Sequence, residues 1–230
     1  MHPRQSIPPL EVGPLLHVFD MDGTLLMGAA VVELSRYFGR FAEAVEIEEA
    51  YLRGEIDEIP FWSRALELWH GVTEEQIDHA FEAAMWMQGV REVFDDIDRR
   101  GERSIVISQS PHFFVRRLEE WGAHATFGSN IRLGETVIAN STLLAEDKVS
   151  ITQDILLLWG LSPTDCVAYG DSISDMALFS WLPNTVAVNA RGPLADLAAK
   201  SYVGDDLRKA YILGRSLVGK DEAERRAQRP

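Results

Sequence analysis

Cysteine is nearly absent from the sequence: among 230 residues only Cys166 is present. One cysteine cannot close a disulfide within the chain, and because Cys166 stands in an apolar run we expect a buried, inert thiol. Long apolar runs are also missing, since no segment reaches the roughly 18 apolar residues of a membrane span and the N-terminus has no signal-peptide pattern. We therefore expect no membrane anchor and a location in the reducing cytoplasm.

Positive charge is scarce as well. The chain has 22 lysines and arginines against 36 aspartates and glutamates, which gives a formal net charge of −14. A field of this sign excludes a protein that follows nucleic acid by general electrostatic attraction. Apolar residues make up 46% of the chain, which excludes the disordered and fibrous classes. The balance favours a soluble protein with a small-molecule ligand, and it leaves a monomer and a homodimer both open.

Short apolar runs alternate with helical patterns along most of the chain. Runs of about four to six residues rich in Val and Ile are typical of buried parallel strands. Four such runs occur: LLHVF, SIVIS, DCVAYG and TVAVN. Helical periodicity is present over residues 90–100, 111–121, 148–159, 174–181 and 193–199. This alternation predicts an α/β fold with a doubly wound, Rossmann-like parallel sheet and helices on both faces.

One long stretch interrupts this alternation directly after the first strand. Residues 29–88 are helical in pattern, and Thr73 with Gln76 fits a capping box that opens the last helix. We predict an inserted helical cap domain over this stretch, above the carboxyl edge of the sheet. The other predicted units are a flexible tail over 1–12, an α/β core domain over 13–28 and 89–217, and a flexible tail over 218–230. The segment IRLGETVIAN, at 131–140, predicts a β-hairpin.

Polar residues follow three of the predicted strands. Asp20 and Asp22 come after the first strand, Ser108 ends the second, and Asp171 with Asp175 follows the third. Doubly wound sheets bind ligands in the crevice beyond the carboxyl ends of their strands. We therefore expect these side chains to converge in space.

The residue types in this group indicate phosphoryl-transfer chemistry. A cluster of Asp20, Asp22 and Asp171 is a hard, oxygen-only site that suits Mg²⁺, which would offset the repulsion between the carboxylates. Asp20 could then act as a nucleophile, and Asp22 as general acid and then as general base. Lys148, at the start of a predicted helix, and Ser108 would contact the oxygens of the transferring phosphoryl group.

Each of these residues has a structural explanation when it is taken alone. Asp20 could begin an ordinary turn, Ser108 could be a cap serine, and Lys148 could be a solvated surface lysine. A calcium-binding EF-hand loop is excluded, because the twelfth position counted from Asp20 is Val31 rather than glutamate. The order of all four motifs along the chain favours a catalytic site.

With these motifs in this order, the sequence resembles the haloacid dehalogenase superfamily of phosphohydrolases, in particular its phosphoserine-phosphatase-like branch with a helical C1 cap. The motifs are DMDGT, SIVIS, Lys148 and GDSISD. The resemblance implies a phosphoaspartyl intermediate on Asp20, later hydrolysed by a water that Asp22 activates. It implies catalytic roles for Asp20, Asp22 and Lys148, phosphate contacts from Thr24, Ser108, Gln109, Lys148 and Ser174, and metal ligation by Asp20, Asp22, Asp171 and Asp175.

Several positions depart from what the resemblance to phosphoserine phosphatases implies. Ala29 stands where a glutamate would meet the amino group of the substrate. Ala65 stands where an arginine would meet its carboxylate, and Arg64 is one position out of step. Gln109 replaces a glycine, and Ser174 replaces an asparagine. We therefore predict a substrate other than phosphoserine.

The sequence thus predicts a Mg²⁺-dependent phosphatase acting on a phosphomonoester of a small soluble metabolite. Two alternatives stay open: a phosphomutase, which needs the same aspartate pair, and a catalytically idle protein that binds a phosphate ligand. The aromatic residues of the predicted cap are explained mainly by packing, with Trp62 or Trp86 as candidates for stacking on a substrate.

Overall fold

A six-stranded sheet lies at the centre of the protein. The computed structural model describes residues 15–227, with side chains described as far as residue 218, so the predicted tail over 1–12 and residues 228–230 of the other tail lie outside the described residues. The strands are β1 Leu16–Phe19, β2 Arg103–Pro111, β3 Ala125–Ser129, β4 Cys166–Gly170, β5 Thr185–Val188 and β6 Lys200–Tyr202. All neighbouring strands pair in parallel, in the order β3-β2-β1-β4-β5-β6. The predicted doubly wound α/β fold is confirmed.

Strand β1 is buried on both faces, which explains its nearly unbroken apolar sequence. Leu16 and Val18 belong to one hydrophobic cluster, whereas Phe19 belongs to a second cluster on the other face. His17 is the polar residue of this strand, and it hydrogen-bonds through Nε2 to Glu102 Oε2 at 3.0 Å. The strand therefore has a core on either side, and its buried polar group has a partner.

Helices cover both faces of the sheet. Their bounds are α1 Ala30–Tyr37, α2 Phe41–Leu52, α3 Glu58–Leu68, α4 Glu74–Ala83, α5 Val90–Arg99, α6 His112–Val115, α7 Ala145–Trp159, α8 Met176–Trp181, α9 Pro193–Leu197 and α10 Leu207–Ala227. Helices α5 and α10 contribute to the cluster that contains Phe19, and α7 and α8 to the cluster that contains Leu16. Over the residues described, none of these helices has the length and apolar character that crossing a membrane requires.

Helices α1–α4 form the segment inserted between β1 and α5. Thr73 opens α4 with the predicted capping box, since its hydroxyl accepts from the Gln76 N–H and the Gln76 side chain accepts from the Thr73 N–H. Trp69, just after α3, is almost fully buried and donates from Nε1 to Ser35 Oγ of α1 at 2.8 Å. The insert is helical as predicted, and the exact domain boundaries stay predictions.

The two chain segments that join this insert to the sheet run side by side. We call residues 25–27 and 85–87 the connecting ribbon. The Met27 N–H donates to Met85 O at 2.8 Å, and the Met87 N–H donates to Leu25 O at 2.9 Å. An antiparallel bridge lies between these two bonds. The insert is thus attached through paired backbone rather than through two separate linkers.

Two edge strands and one loop differ from the predictions. The sequence patterns do not reveal β3, which includes a glycine, or β6, which has only three residues. The predicted hairpin over 131–140 is wrong, because the described residues form no strand there. The segment forms a loop instead, and the Asn130 N–H donates to Ser141 O at 2.7 Å across its two ends. The side chains of Ile131 and Val137 are buried.

The long C-terminal helix α10 was not predicted, because much of its sequence is polar. Leu207 and Tyr211 are buried in the hydrophobic cluster that contains Phe19, and Arg215 donates from Nη1 to Glu102 Oε2 at 2.5 Å. The predicted tail boundary falls inside this helix, where Val218 is still buried.

Phe94 offers a test of this packing. It is fully buried in α5 and meets the Phe19 ring edge-on, with 5.7 Å between centroids. Phe94→Ala should lower the free energy of unfolding by about 3–5 kcal/mol, because it removes a buried ring and leaves a cavity. Leu157→Ala, at an 82% exposed side chain of α7, should change it by less than about 0.5 kcal/mol. Urea unfolding followed by circular dichroism measures both, and equal losses would contradict the described core.

Candidate active site

The candidate site begins with the residue that follows β1. The Asp20 N–H donates to the Tyr169 carbonyl at 2.9 Å, so the pairing of β1 with β4 extends one residue beyond β1. Asp171 directly follows β4. Both aspartates therefore lie at the carboxyl edge of the sheet, at the point where the strand order reverses. Beyond Asp20 the chain turns back at once, because the Met21 carbonyl accepts from three following N–H groups.

Two glycines allow carboxylates to lie directly against the backbone. Gly23 has a φ of +73°, and a Cβ at this position would overlap Asp171 Oδ2. A Cβ on Gly170 would overlap the carboxyl carbon of Asp175. A side chain at either glycine would displace an acidic group, which is a physical reason for the glycines of DMDGT and GDSISD.

Lys148 balances part of the negative charge. It lies in the first turn of α7 with 1% exposure, and its Nζ is 2.9 Å from Asp20 Oδ1, 2.6 Å from Asp175 Oδ1 and 3.1 Å from Ser174 Oγ. Burial alone would lower the pKa of Lys148, but the Asp175 and Asp20 carboxylates outweigh burial and hold this pKa above its ordinary value. Lys148 is therefore a fixed positive charge inside the site.

Asp20, Asp171 and Asp175 form what we call the carboxylate cluster. Each offers an oxygen, and these oxygens lie within 4.8 Å of one another. Burial raises the pKa of Asp171 to about 7, with the Asp175 charge adding to the effect, and burial also raises the pKa of Asp20. Asp171 Oδ1 is buried with no hydrogen-bond partner among the described residues. The cluster offers carboxylate oxygens, a negative charge that is only partly balanced, and one oxygen free to bind. These features suit a divalent cation such as Mg²⁺.

Asp22 is not a member of the carboxylate cluster, and both of its oxygens have other partners. Oδ1 accepts from the Ala30 N–H at 2.5 Å, and Oδ2 accepts from the hydroxyls of Ser108 and Ser110, each at 2.8 Å. Burial raises the pKa of Asp22, although these three hydrogen bonds favour its ionised form. The surroundings thus support both protonation states that acid–base catalysis needs.

Ser110 was not among the predicted site residues. Its signal in the sequence is its spacing from Ser108, since side chains two apart in a strand project from the same face. Strand β2 continues to Pro111, so Ser108 lies within the strand rather than at its end. The pairing of β2 with β3 shifts between Ile107 and Pro111, at the level of both serines.

Of the other predicted phosphate contacts, Ser174 and Gln109 line the cavity in front of the carboxylates, whereas Thr24 is not part of this lining. Ser174 is hydrogen-bonded to Lys148, as described above. Gln109 donates from Nε2 to the Leu143 carbonyl at 3.1 Å and lines the cavity in front of the carboxylates. Thr24 is fully buried, and its hydroxyl has no partner among the described residues.

A cavity of about 460 Å³ opens onto these residues from the side of the insert. The insert contributes Glu48, Tyr51 and Leu52 from α2, and Glu58, Phe61 and Trp62 from α3. Burial raises the pKa of Glu48 to about 7, and the charge of Asp22 adds to the effect. Trp62 therefore lines the cavity, whereas Trp86 packs against Phe81, with 4.6 Å between ring centroids.

The chain is similar in sequence to a family of hydrolases and to several phosphoserine phosphatases. The family model for haloacid dehalogenase-like hydrolases matches residues 17–180. The phosphoserine phosphatase of Archaeoglobus fulgidus is 28% identical over 197 residues, which cover 84% of this chain but 57% of that protein. The phosphoserine phosphatase of Idiomarina loihiensis is 24% identical over 204 residues, which cover 86% of this chain and 92% of its own.

Solved structures share the fold. A substrate-bound phosphoserine phosphatase complex matches with a TM-score of 0.72 at 21% identity, covering 88% of this chain and 99% of that chain. A phosphoserine phosphatase with a phospho-aspartyl intermediate analogue matches with a TM-score of 0.68 at 21% identity, covering 86% and 97% of the two chains. The family model matches well over half of the chain, including the segments around Asp20 and Asp171. The chain therefore belongs to the haloacid dehalogenase-like hydrolases.

Proposed function

We propose that the protein is a Mg²⁺-dependent phosphatase that hydrolyses a small phosphomonoester through a phosphoaspartyl intermediate on Asp20. The family match and the phosphatase relatives identify it as a phosphoric monoester hydrolase. The finer proposal rests on two aspartates that are held in different ways. Asp20 is paired with Lys148 beside Asp171, whereas Asp22 is held by two serine hydroxyls. The first is placed to attack phosphorus and the second to move protons.

The reaction uses these two side chains in turn. An Asp20 oxygen attacks phosphorus, the bond from phosphorus to the ester oxygen breaks, and protonated Asp22 gives its proton to the leaving alcohol. Ionised Asp22 then takes a proton from the water that attacks phosphorus, and the bond between phosphorus and Asp20 breaks to release inorganic phosphate. Lys148 and Ser174 supply a fixed positive charge and a hydroxyl beside the attacking carboxylate.

Two members of the carboxylate cluster are our proposed ligands for Mg²⁺. Asp171 has the unpartnered Oδ1, and Asp20 has an oxygen that does not bond to Lys148. When bound, the cation supplies positive charge that favours ionised Asp20 and neutralises the phosphoryl oxygens.

Asp175 and Asp22 are proposed for other tasks. Asp175 bonds to Lys148 through Oδ1, and its Oδ2 accepts from the N–H groups of Asp171 and Ser172 at 3.1 and 3.2 Å. It therefore holds the lysine and the loop after β4 in place. The predicted metal role of the Asp22 side chain is not part of this proposal, because both of its oxygens already accept hydrogen bonds.

The relatives named above are phosphoserine phosphatases, so phosphoserine is the first substrate to compare. Ala29 lines the cavity with a methyl group only, and Ala65 is fully buried. That the substrate is not phosphoserine stays a prediction, and the two alanines are what supports it. A phosphomutase and an idle binding protein are separated from a phosphatase by one measurement, the steady release of inorganic phosphate.

Asp20→Asn tests the nucleophile. An amide does not attack phosphorus, so the rate of p-nitrophenyl phosphate hydrolysis should fall by at least about a thousandfold. Asp95→Asn, at an exposed position of α5, is the matched control and should keep the wild-type rate. Circular dichroism should show that both variants are folded. A folded Asp20→Asn variant with activity within about tenfold of the wild type would refute the assignment.

Binding of Mg²⁺ should depend on pH. Protons compete with the cation for Asp171, whose pKa is raised to about 7, and for Asp20, whose pKa is also raised. Because their pKa values are higher in the folded than in the unfolded chain, the metal-free protein should lose stability as pH rises from about 4 towards about 7. The increase in Tm caused by Mg²⁺ should therefore be larger at about pH 8 than at about pH 5.5.

Thermal unfolding with and without chelator measures this effect. Asp171→Asn should remove most of the Mg²⁺-dependent increase in Tm, and Asp95→Asn should leave it intact. Chelation should also stop phosphate release, and added Mg²⁺ should restore it. An equal Mg²⁺ effect at both pH values, or full activity in the presence of chelator, would contradict the proposed metal site.

A further inference from the structure

Two glutamates of the insert line the cavity and have no basic partner in the part of the chain that the structure describes. Glu48 of α2 and Glu58, the first residue of α3, both line the cavity and are only partly exposed. Among the described residues, neither side chain has a hydrogen bond or an ion pair with a basic group. A carboxylate that is partly desolvated and unpaired is costly, which makes each a candidate for pairing with a ligand.

Several other glutamates of the insert are paired with arginines, and Glu46, Glu67 and Glu75, which have no such partner among the described residues, are exposed. Arg40 binds Glu43 at 2.6 Å, and Arg53 binds both Glu49 and Glu55, at 3.3 and 2.7 Å. These arginines are therefore engaged with acidic groups of their own neighbourhood.

The two cavity glutamates both act electrostatically on Tyr51. Tyr51 lines the cavity together with both glutamates. Burial raises the pKa of Tyr51, and the charges of Glu58 and Glu48 add to the effect. The pKa of Glu48 is itself raised to about 7 by burial and by Asp22. A negative potential therefore extends from the carboxylates of the sheet edge into the part of the cavity formed by the insert.

Aromatic rings lie beside these glutamates. Tyr51 and Phe61 have ring centroids 4.8 Å apart, and Phe61 meets Trp62 edge-on at 4.6 Å. All three side chains line the cavity. The face of an aromatic ring attracts a cation and also packs against alkyl groups, and the attraction to a cation is stronger when the cation is removed from water.

The described lining of the cavity has no basic side chain that could pair with a second anionic group. None of the described residues that line it is an arginine, a lysine or a histidine. Arg64 is exposed and outside this lining, and Lys148 is already bound to Asp20 and Asp175 at the phosphate end. A substrate carboxylate would therefore meet glutamates rather than a counter-ion.

We propose that the substrate is a phosphomonoester of a small alcohol that carries an amine or quaternary ammonium group and no carboxylate, with Glu48 and Glu58 pairing with the cation. This proposal rests on the phosphatase function proposed above. Tyr51, Phe61 and Trp62 pack on the alkyl part of the same group. The Mg²⁺ end of the cavity takes the phosphate, and the glutamate end takes the opposite charge.

Matched pairs of esters test the charge preference. Choline phosphate is compared with its neutral isostere, in which carbon replaces the ammonium nitrogen, and ethanolamine phosphate is compared with glycol phosphate. Phosphate release with Mg²⁺ present gives kcat/KM for each. The cationic ester of each pair should exceed its neutral partner by about tenfold or more, and phosphoserine should be slower than ethanolamine phosphate.

Glutamine variants assign the preference to residues. Glu48→Gln and Glu58→Gln keep the side-chain shape but remove the charge, so each should reduce the cationic-to-neutral ratio of kcat/KM by about fivefold or more, mainly through KM. Glu46→Gln is the matched control, because Glu46 is exposed on α2 and does not line the cavity. It should leave the ratio unchanged.

The outcomes separate this proposal from the phosphatase function. If p-nitrophenyl phosphate is hydrolysed in an Asp20-dependent way but neutral, sugar or carboxylate-bearing esters equal or exceed the cationic ones, the substrate proposal is overturned and the phosphatase stands. If no ester is hydrolysed, p-nitrophenyl phosphate included, both proposals fall. A cationic preference that survives the loss of both glutamate charges would refute the residue assignment.

Discussion

The site depends on the ion pairs of one buried lysine at the start of α7. Lys148 lies between a carboxylate that follows β1 and another in the loop after β4, and its charge compensates acidic groups that are removed from water. Because a buried ion loses most of its compensation when one partner is removed, the sheet edge, α7 and this loop have to be in place together. One lysine does not neutralise three carboxylates, so the cluster keeps a negative charge that a cation can offset.

Much of this site could be predicted because a parallel sheet gathers the ends of its strands at one edge. The convergence of Asp20 and Asp171 follows from that rule, whereas Lys148, which lies in a helix, was assigned from its place in the order of the motifs. Hydrogen-bond partners are different, since they depend on strand register and side-chain rotamers. The sequence therefore did not reveal that Asp22 stands apart from the carboxylate cluster. Nor did it reveal that Ser110 donates to Asp22 together with Ser108.

The fold shows the same division between pattern and context. Strands β1, β2, β4 and β5 have apolar runs because both of their faces are buried. Strands β3 and β6 are held at the edges by pairing with a neighbour, so their own sequences show little. In the insert, helical periodicity reveals an apolar face but not which end of a helix meets the cavity. The sequence therefore could not show which of Trp62 and Trp86 lines the cavity. It also could not distinguish Glu48 from a solvated glutamate.

The connecting ribbon has a mechanical consequence for access to Asp20. Two antiparallel segments joined by backbone hydrogen bonds resist sliding along each other but can bend across their width. The insert cannot translate over the sheet without breaking the bonds of Met27 to Met85 and of Met87 to Leu25. A tilt of the insert would keep these bonds. The glutamates and aromatic rings that line the cavity would then move together relative to the carboxylates, because they all lie on the insert.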